Sequence, residues 1–353
     1  MSEALEEPVV LVSSAEFALK STPVRRSMEQ RLIDDLKFAL RNIGIENAKI
    51  GKDAGRIVVT SISDSAAVTA ACSKVFGVAY AAPATKVNGS IESIKRQIVQ
   101  LAKEKILQGE SFAIRCHRSA PSNTSRRQVE VEAGAEVLKA LQERMVRVKL
   151  NHPDRTIFAD LSGENTYVYS QKTPGPGGLP ISSQWKMLAI LDSGPLSIFS
   201  AFVLMKRGCL VQLLIPHVEE TSIDRQLALA HELRRFVTRE KHNTIIMHIE
   251  SKSCSPSLIR LLSLDIAIKK RFRGVIFSDL SGQLSNNHVL TSKARKVGLP
   301  IFQPLIGFGK AELEELCRIF NLDRSELTMN VAIDNREVLP SDLPGFSLEE
   351  VSL

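Results

Sequence analysis

The chain of 353 residues carries 46 Lys and Arg against 39 Asp and Glu, a formal net charge of +7, and is 44% hydrophobic with a mean hydropathy of −0.01. That length supports two or three domains of ordinary size; no window approaches the roughly 18 consecutive apolar residues of a membrane span, and MSEALEEP is acidic where a secretory leader is basic, so no membrane partner is expected and the expected location is cytoplasmic. Five scattered cysteines (Cys72, Cys116, Cys209, Cys254, Cys317) without a C-x-x-C pair exclude a disulfide framework and a zinc finger, and seven histidines without ligand spacing predict no metal site.

Val9 to Val12 is a short β-branched run, and Met28, Leu32, Ile33, Leu36, Ala39, Leu40 and Ile43 recur at helical spacing before Gly44. Arg56–Thr60 and an Ala-rich stretch over 65–74 continue a strand–helix rhythm, so 1–75 reads as a small α+β unit. A second unit follows: a strand near Val78, a helix over 90–107, and a strand whose alternation at Phe112, Ile114 and Cys116 sets Arg115 on the opposite face. After the loop SAPSNTS come a helix over 126–144 and two strands, Thr156–Leu161 and Tyr167–Gln171, joined by SGEN. KTPGPGGLP, residues 172–180, can continue neither a helix nor a ladder and reads as a linker. Beyond it five strand–helix pairs argue a parallel sheet covered by helices, whose ligand crevice lies at the carboxyl ends of its strands, after Leu191, Pro216, Ile249 and Phe277. Trp185 is expected to pack that unit's edge, and Lys269-Lys270-Arg271-Phe272-Arg273 to end a helix where cations suit the macrodipole, a nucleic-acid contact being the alternative reading.

The charge is unevenly placed. Residues 1–180 hold 25 basic and 20 acidic side chains, a net +5, and residues 181–353 hold 21 and 19, a net +2; within 111–149 alone there are eight basic and four acidic. Arg115, Arg118, Arg126 and Arg127 bracket a Ser- and Asn-rich loop, with His117 as a further donor, a combination suited to phosphate oxygens; Lys20, Arg25 and Arg26 extend it. Aromatic residues are 5% of the chain, so base stacking is not the expected mode of recognition, and a solvated basic face is as common a reading of such a cluster. In the second half, Asp192-Ser193-Gly194-Pro195 between a strand and a helix would present backbone N–H groups to an anion, or is a plain structural turn with Asp192 or Ser193 as the cap.

Collinear motifs resemble those of the tRNA 4-thiouridine synthetase family, the tRNA sulfurtransferases also called thiamine biosynthesis proteins. AEFALKS at 15–21 with Arg25 and Arg26 resembles the opening of its ferredoxin-like domain. VFGVAYAAPA at 75–84, FAIRCHRSA at 112–120 and TYVYSQKTPGPGGLP at 166–180 resemble its THUMP domain and linker. LAILDSGPLSIFSAFVLMKRG at 188–208, SDLSGQLSNNH at 278–288 and LPIFQPLIGFGKAEL at 299–313 resemble its ATP-pyrophosphatase domain. The resemblance implies α/β and α+β architecture: a ferredoxin-like domain over 1–75, a THUMP domain over 76–172, a linker over 173–183, a Rossmann-like adenine nucleotide α-hydrolase (PP-loop) domain with a parallel sheet over 184–325, and a tail over 326–353.

It further implies adenylation of a tRNA uridine by ATP with Mg²⁺, then sulfur transfer through a cysteine persulfide, with no metal cluster. The implied partners are tRNA, a second copy of the chain, and a sulfur-donor or catalytic protein. Carried over, the nucleotide residues are Ser193, Gly194, Ser197, Gln283 and Lys310. Where the family has Ser-Gly-Gly-x-Asp-Ser, this chain has Asp192 in the first place and Leu196 at the acidic position; Asp192 would oppose phosphates and Leu196 cannot hold Mg²⁺. Ser278-Asp279 replaces Gly-Glu, Gly309 replaces an acid, and Cys254 is the remaining catalytic candidate, Cys317 reading as packing. Two functions follow: a tRNA-binding protein whose adenylation and sulfur transfer are impaired or handed to a partner, and an active, divergent thiolation enzyme. A nucleotide-binding regulator without RNA function leaves the basic cluster unexplained.

Overall fold

The computed structural model describes residues 6–14, 16, 20–60, 64–236, 243–251, 254–280, 288–328 and 344–352. It divides into two compact units, Met1–Gly177 and Gly178–Leu353.

Unit 1 contains, in order, β1 (Glu7–Ser14), α1 (Thr22–Arg41), β2 (Lys49–Asp53), β3 (Arg56–Thr60), α2 (Ser65–Cys72), β4 (Val78–Asn88), α3 (Ile91–Lys105), β5 (Ser111–Arg118), α4 (Arg126–Ala140), β6 (Arg147–Val148), β7 (Arg155–Ser162), β8 (Asn165–Tyr169) and β9 (Thr173–Pro174). Its strands form one sheet in the order β2-β3-β1-β4-β8-β7-β5-β6, with β9 against β4. β4 therefore does not simply open a second unit, as its place in the sequence suggested. It pairs with β1 over Val78–Lys86 and with β8 over Thr85–Asn88, so two strand–helix rhythms share one sheet.

Phe112, Ile114 and Cys116 turn one face of β5 onto α3 and α4, where they meet Ile94, Ile98, Val129 and Val137. The other face carries Val9, Leu11, Val58, Ala82, Ala84, Tyr167 and Tyr169, buried without a helix of that cluster covering them. The sheet curls instead: Asp53 Oδ2 accepts from Asn165 Nδ2 at 2.9 Å and from the Tyr167 hydroxyl at 2.6 Å, drawing the β2–β3 hairpin onto the β7–β8 turn. Arg56 completes the closure through Asp160 (2.6 Å), Ser13 (2.6 Å) and Ser119 (3.1 Å). Asp160 has a fully buried side chain, so this pair is a desolvated one.

The two units divide at Gly177 and Gly178, within the Pro/Gly stretch, whose backbone is hydrogen-bonded on each side of the division. β9 pairs with Tyr80–Ala81 and the Gly177 amide donates to Val78 O at 2.8 Å, while the Leu179 amide donates to Lys206 O at 3.0 Å in unit 2. Gly178 sits at φ +73°, where an added Cβ would run into the Lys206 carbonyl, so glycine is required there.

Unit 2 runs β10 (Lys186–Ile190), α5 (Pro195–Lys206), β11 (Leu210–Val218), α6 (Asp224–Arg234), β12 (Asn243–Ile249), α7 (Pro256–Lys269), β13 (Val275–Ile276), α8 (His288–Lys296), β14 (Ile301–Phe302), α9 (Lys310–Phe320) and β15 (Phe346–Ser352). The sheet order is β14-β13-β10-β11-β12-β15, parallel except for β15, which runs antiparallel to β12. Counted from β10, the parallel strands alone lie in the order β14-β13-β10-β11-β12, and the direction of winding reverses between β10 and β13, the place where such sheets open a crevice. α5 is buried on nearly every side, which its run Leu196-Ser197-Ile198-Phe199-Ser200-Ala201-Phe202 requires. Phe199 and Phe202 join Phe320 of α9 at ring distances of 5.6 and 5.3 Å, while α7 and α8 cover the other face. Cys317 is buried beside Phe320, as its spacing predicted.

In the tail, which the sequence left without a reading, Phe346 and Leu348 of β15 pack on the core below β12. One expectation needs correction. Trp185 does not pack the edge of its unit; it is 61% exposed. No helix among the described residues is long and apolar enough to cross a membrane.

Candidate nucleic-acid interface and nucleotide loop

The strands β4 and β5 of unit 1 each deliver the chain to a helix N-terminus at the same end. Ser90 caps α3 by accepting from Ser93 N, and Ser125 caps α4 by accepting from Gln128 N. Between them lies a cleft of about 590 Å³ lined by Asn88, Gly89, Ser90, residues 121–124, Gly163 and Glu164, tied across by the Thr124 hydroxyl donating to Gly89 O at 2.8 Å. Arg126 and Arg127 open α4 without an acidic residue in that turn. Cations at the positive end of a helix are unfavourable within the protein. Together with exposed Arg118 they make an anion-seeking edge.

The structure divides the basic cluster of 111–149. Arg115 does not join Arg118: its guanidinium donates to Leu150 O. Arg144 is spent on Lys103 O and Ile106 O, at 2.8 and 2.6 Å, closing the C-terminus of α3, and Arg147 on Gly109 O. His117 stacks on Phe158 at 6.3 Å and 12°, and burial, with Lys172 close by, pushes its pKa down. It therefore enters the surface as a neutral ring. Lys172 Nζ sits 3.9 Å from the Phe158 centroid, so part of the positive field here is held by rings.

Arg25 lies in a second cleft, of about 420 Å³, with Lys52, Arg56, Ser14 and Ser119, the residue after Arg118. The first turn of α1 and the residue after β5 thus line one cleft. Arg25 and Lys52 share Glu29, at 3.7 and 2.9 Å. Lys20 and Arg26 are exposed. Lys52 and Arg56 escaped sequence reasoning because neither lies in a motif; they flank the Ala54-Gly55 turn of the β2–β3 hairpin.

In unit 2 the loop after β10 closes on itself. Asp192 Oδ1 accepts from Gly194 N at 2.9 Å, and Asp192 Oδ2 accepts from the Ser278 hydroxyl at 3.0 Å. The Ser197 hydroxyl donates to Gly194 O at 2.7 Å, and Pro195 has no N–H to offer. Burial pushes the Asp192 carboxyl up, against the lowering by the Gly194 amide, Ser278, Ser197 and Arg260. Ser193 is exposed. Beside this loop, Asp279 is buried and bonded to Arg260 (2.5 Å) and Gln303 (2.8 Å). Arg260 and Gln303 carry no sequence signal, since α7 and the turn after β14 meet Asp279 only in the fold. Gln283 lies outside the described residues, and Lys310 is exposed at the first turn of α9, 4.0 Å from Glu314.

Cys254 immediately precedes Ser255, the cap of α7, and packs on the core; burial pushes its thiol up. Alkylation by iodoacetamide, followed by mass spectrometry, is expected to be slow at pH 7 and to accelerate only above the ordinary thiol range. Rapid labelling at pH 7 would instead mark a poised nucleophile. No group of three or more His, Cys, Asp or Glu able to hold a metal occurs among the described residues.

Residues 9–82 match the ThiI ferredoxin-like domain and residues 88–171 match the THUMP domain. A probable tRNA sulfurtransferase of Aeropyrum pernix is 30% identical over 340 residues, covering 90% of this chain and 84% of that one. The chain belongs to the tRNA sulfurtransferase family. A Methanosarcina acetivorans member, also a probable tRNA sulfurtransferase, is 27% identical over 98% of this chain and 89% of its own. The fold is shared with a crystal structure from Pyrococcus horikoshii (TM-score 0.71, 23% identity, 89% and 100% of the two chains). A 4-thiouridine synthetase crystallised with RNA and bound ATP shares it too (TM-score 0.69, 18% identity, 89% and 85%). Within the tRNA sulfurtransferase family, then, this chain has a parallel sheet at whose first loop Asp192 engages the Gly194 amide and the Ser278 hydroxyl.

Proposed function

We propose that this chain is a tRNA-binding member of the family, with 1–75 and 76–172 acting as ferredoxin-like and THUMP parts of the tRNA surface. Residues 184–325 form a PP-loop domain whose adenylation and sulfur-transfer steps are impaired or supplied by a partner protein. The phosphate oxygens of tRNA would meet Arg118, Arg126 and Arg127 and the two helix N-termini, with Lys20, Arg25 and Arg26 extending the surface.

One observation carries the second half of this reading. The Asp192 carboxylate takes the Gly194 N–H and the Ser278 hydroxyl, donors that a nucleotide phosphate would need, and adds a negative charge in their place. The residues present do not fit Mg²⁺-ATP, because Leu196 stands where an acidic ligand would be required.

Equilibrium dialysis with ATP tests it. The wild-type chain is expected to bind weakly, and Asp192→Ser to bind about tenfold more tightly or better, since a freed donor to a charged oxygen is worth roughly 1.5–3 kcal/mol. Wild-type affinity equal to that of Asp192→Ser would contradict the reading and favour the divergent, active enzyme.

A further inference from the structure

Unit 2 is nearly neutral overall, yet its cations are gathered. In a parallel sheet with helical crossovers, strand starts and helix ends share one edge. Here the amino ends of β10, β11 and β13 are tied side by side: the Arg273 amide donates to Lys186 O at 2.9 Å, Leu210 N to Trp185 O at 3.1 Å and Gln184 N to Gly208 O at 3.0 Å. Lys269 and Arg271 arrive at this edge from the end of α7, Arg295 and Lys296 from the end of α8, Lys186 from the start of β10 and Arg273 from the turn before β13; all six are exposed.

Helix ends explain only part of this. Cations there offset the macrodipole, but Lys186 and Arg273 belong to no helix terminus. Asp265 of α7 and Glu350 of β15 are already engaged, with Lys293 (2.7 Å) and Lys270 respectively. On the same edge Trp185 is 61% exposed, and Ile268 and Val297 are 42% and 47% exposed. Lys186 Nζ lies 4.7 Å from the buried Phe272 ring, so the charge next to Trp185 is held in place rather than loose.

We propose that this amino-terminal edge of unit 2, opposite the carboxyl ends where Asp192 and Asp279 lie, is a second RNA-binding surface. The cations meet the phosphate backbone and the Trp185 indole stacks on an unpaired base. The inference rests on tRNA being the ligand of unit 1. Charge complementarity selects a polyanion, and an exposed indole on the same edge as these cations matches an RNA strand, which offers both phosphates and base faces.

Binding of full-length protein to tRNA, followed by fluorescence anisotropy over a salt series, tests it. Lys269→Glu, Arg273→Glu and Lys296→Glu combined are expected to lower affinity about tenfold or more and to flatten the log–log salt slope by about 3. The neutral set Lys269→Gln, Arg273→Gln and Lys296→Gln should do the same more weakly, with an unchanged thermal melt. Trp185→Ala should lower affinity about fivefold or more, with Trp185→Phe retaining most of it. Wild-type affinity and slope in all of these, while reversal of Arg118, Arg126 and Arg127 abolishes binding, would overturn this surface and leave the unit 1 reading intact. A wild-type chain that does not bind tRNA would overturn both. Loss of binding to phosphatidylserine vesicles in the same variants, with tRNA binding unchanged, would assign the edge to lipid and overturn its role in RNA binding.

Discussion

Reversal of Arg118, Arg126 and Arg127 to glutamate is expected to weaken tRNA binding about 100-fold near 0.1 M salt, at roughly 1 kcal/mol for each arginine–phosphate pair removed. The salt slope should fall by about 3 at the same time, because three counterions fewer are released. These arginines serve no packing role that would confound the result: they are exposed, and the cap of α4 is Ser125 rather than either arginine. Arg115→Glu should differ in kind, since it removes the bond to Leu150 O and disturbs the β6–β7 connection. An anisotropy titration in which the triple variant binds as the wild type would remove the α4 edge from the interface.

The largest stability effect should come from Arg56→Ala. Its guanidinium is the cationic partner of Asp160, whose side chain is fully buried, and it also bonds Ser13 and Ser119. Breaking a buried pair by removing one side leaves an uncompensated charge, at about 3–5 kcal/mol. That is a large part of the roughly 5–15 kcal/mol by which a domain is stable. The expected result is a marked fall in the urea midpoint of unit 1, largely recovered in Arg56→Met with Asp160→Leu, where no charge remains to be paired. A loss below about 1 kcal/mol for Arg56→Ala would show that water reaches Asp160 and that the curl of the sheet does not depend on this pair.

The crossovers of unit 2 were legible because short apolar runs such as MLAIL and LVQLLI alternate with segments of helical spacing. β2 was not, since Lys49, Gly51 and Lys52 give it little apolar alternation and it is an edge strand. β15 was missed for a similar reason: Glu349 and Glu350 mark it as polar, and only its pairing with β12 makes it a strand. For the candidate site, the departure at Asp192 was visible as a residue, but its consequence was not. Whether a carboxylate there repels a ligand or occupies the loop's own donors depends on Ser278, which lies 86 residues away in sequence. The arginines of 111–149 looked like one patch along the chain. Carbonyl groups at helix and strand ends, invisible in sequence, claim Arg115, Arg144 and Arg147 and leave Arg118, Arg126 and Arg127 facing out.

ATP–pyrophosphate exchange by the purified chain, with tRNA present at a concentration shown to be bound, decides whether the loop after β10 is closed to nucleotide. Exchange at the level of a protein-free control, alongside salt-sensitive tRNA binding, is the predicted result. Exchange above that control would contradict it, because an Asp192 that holds Gly194 and Ser278 cannot also let them receive a phosphate.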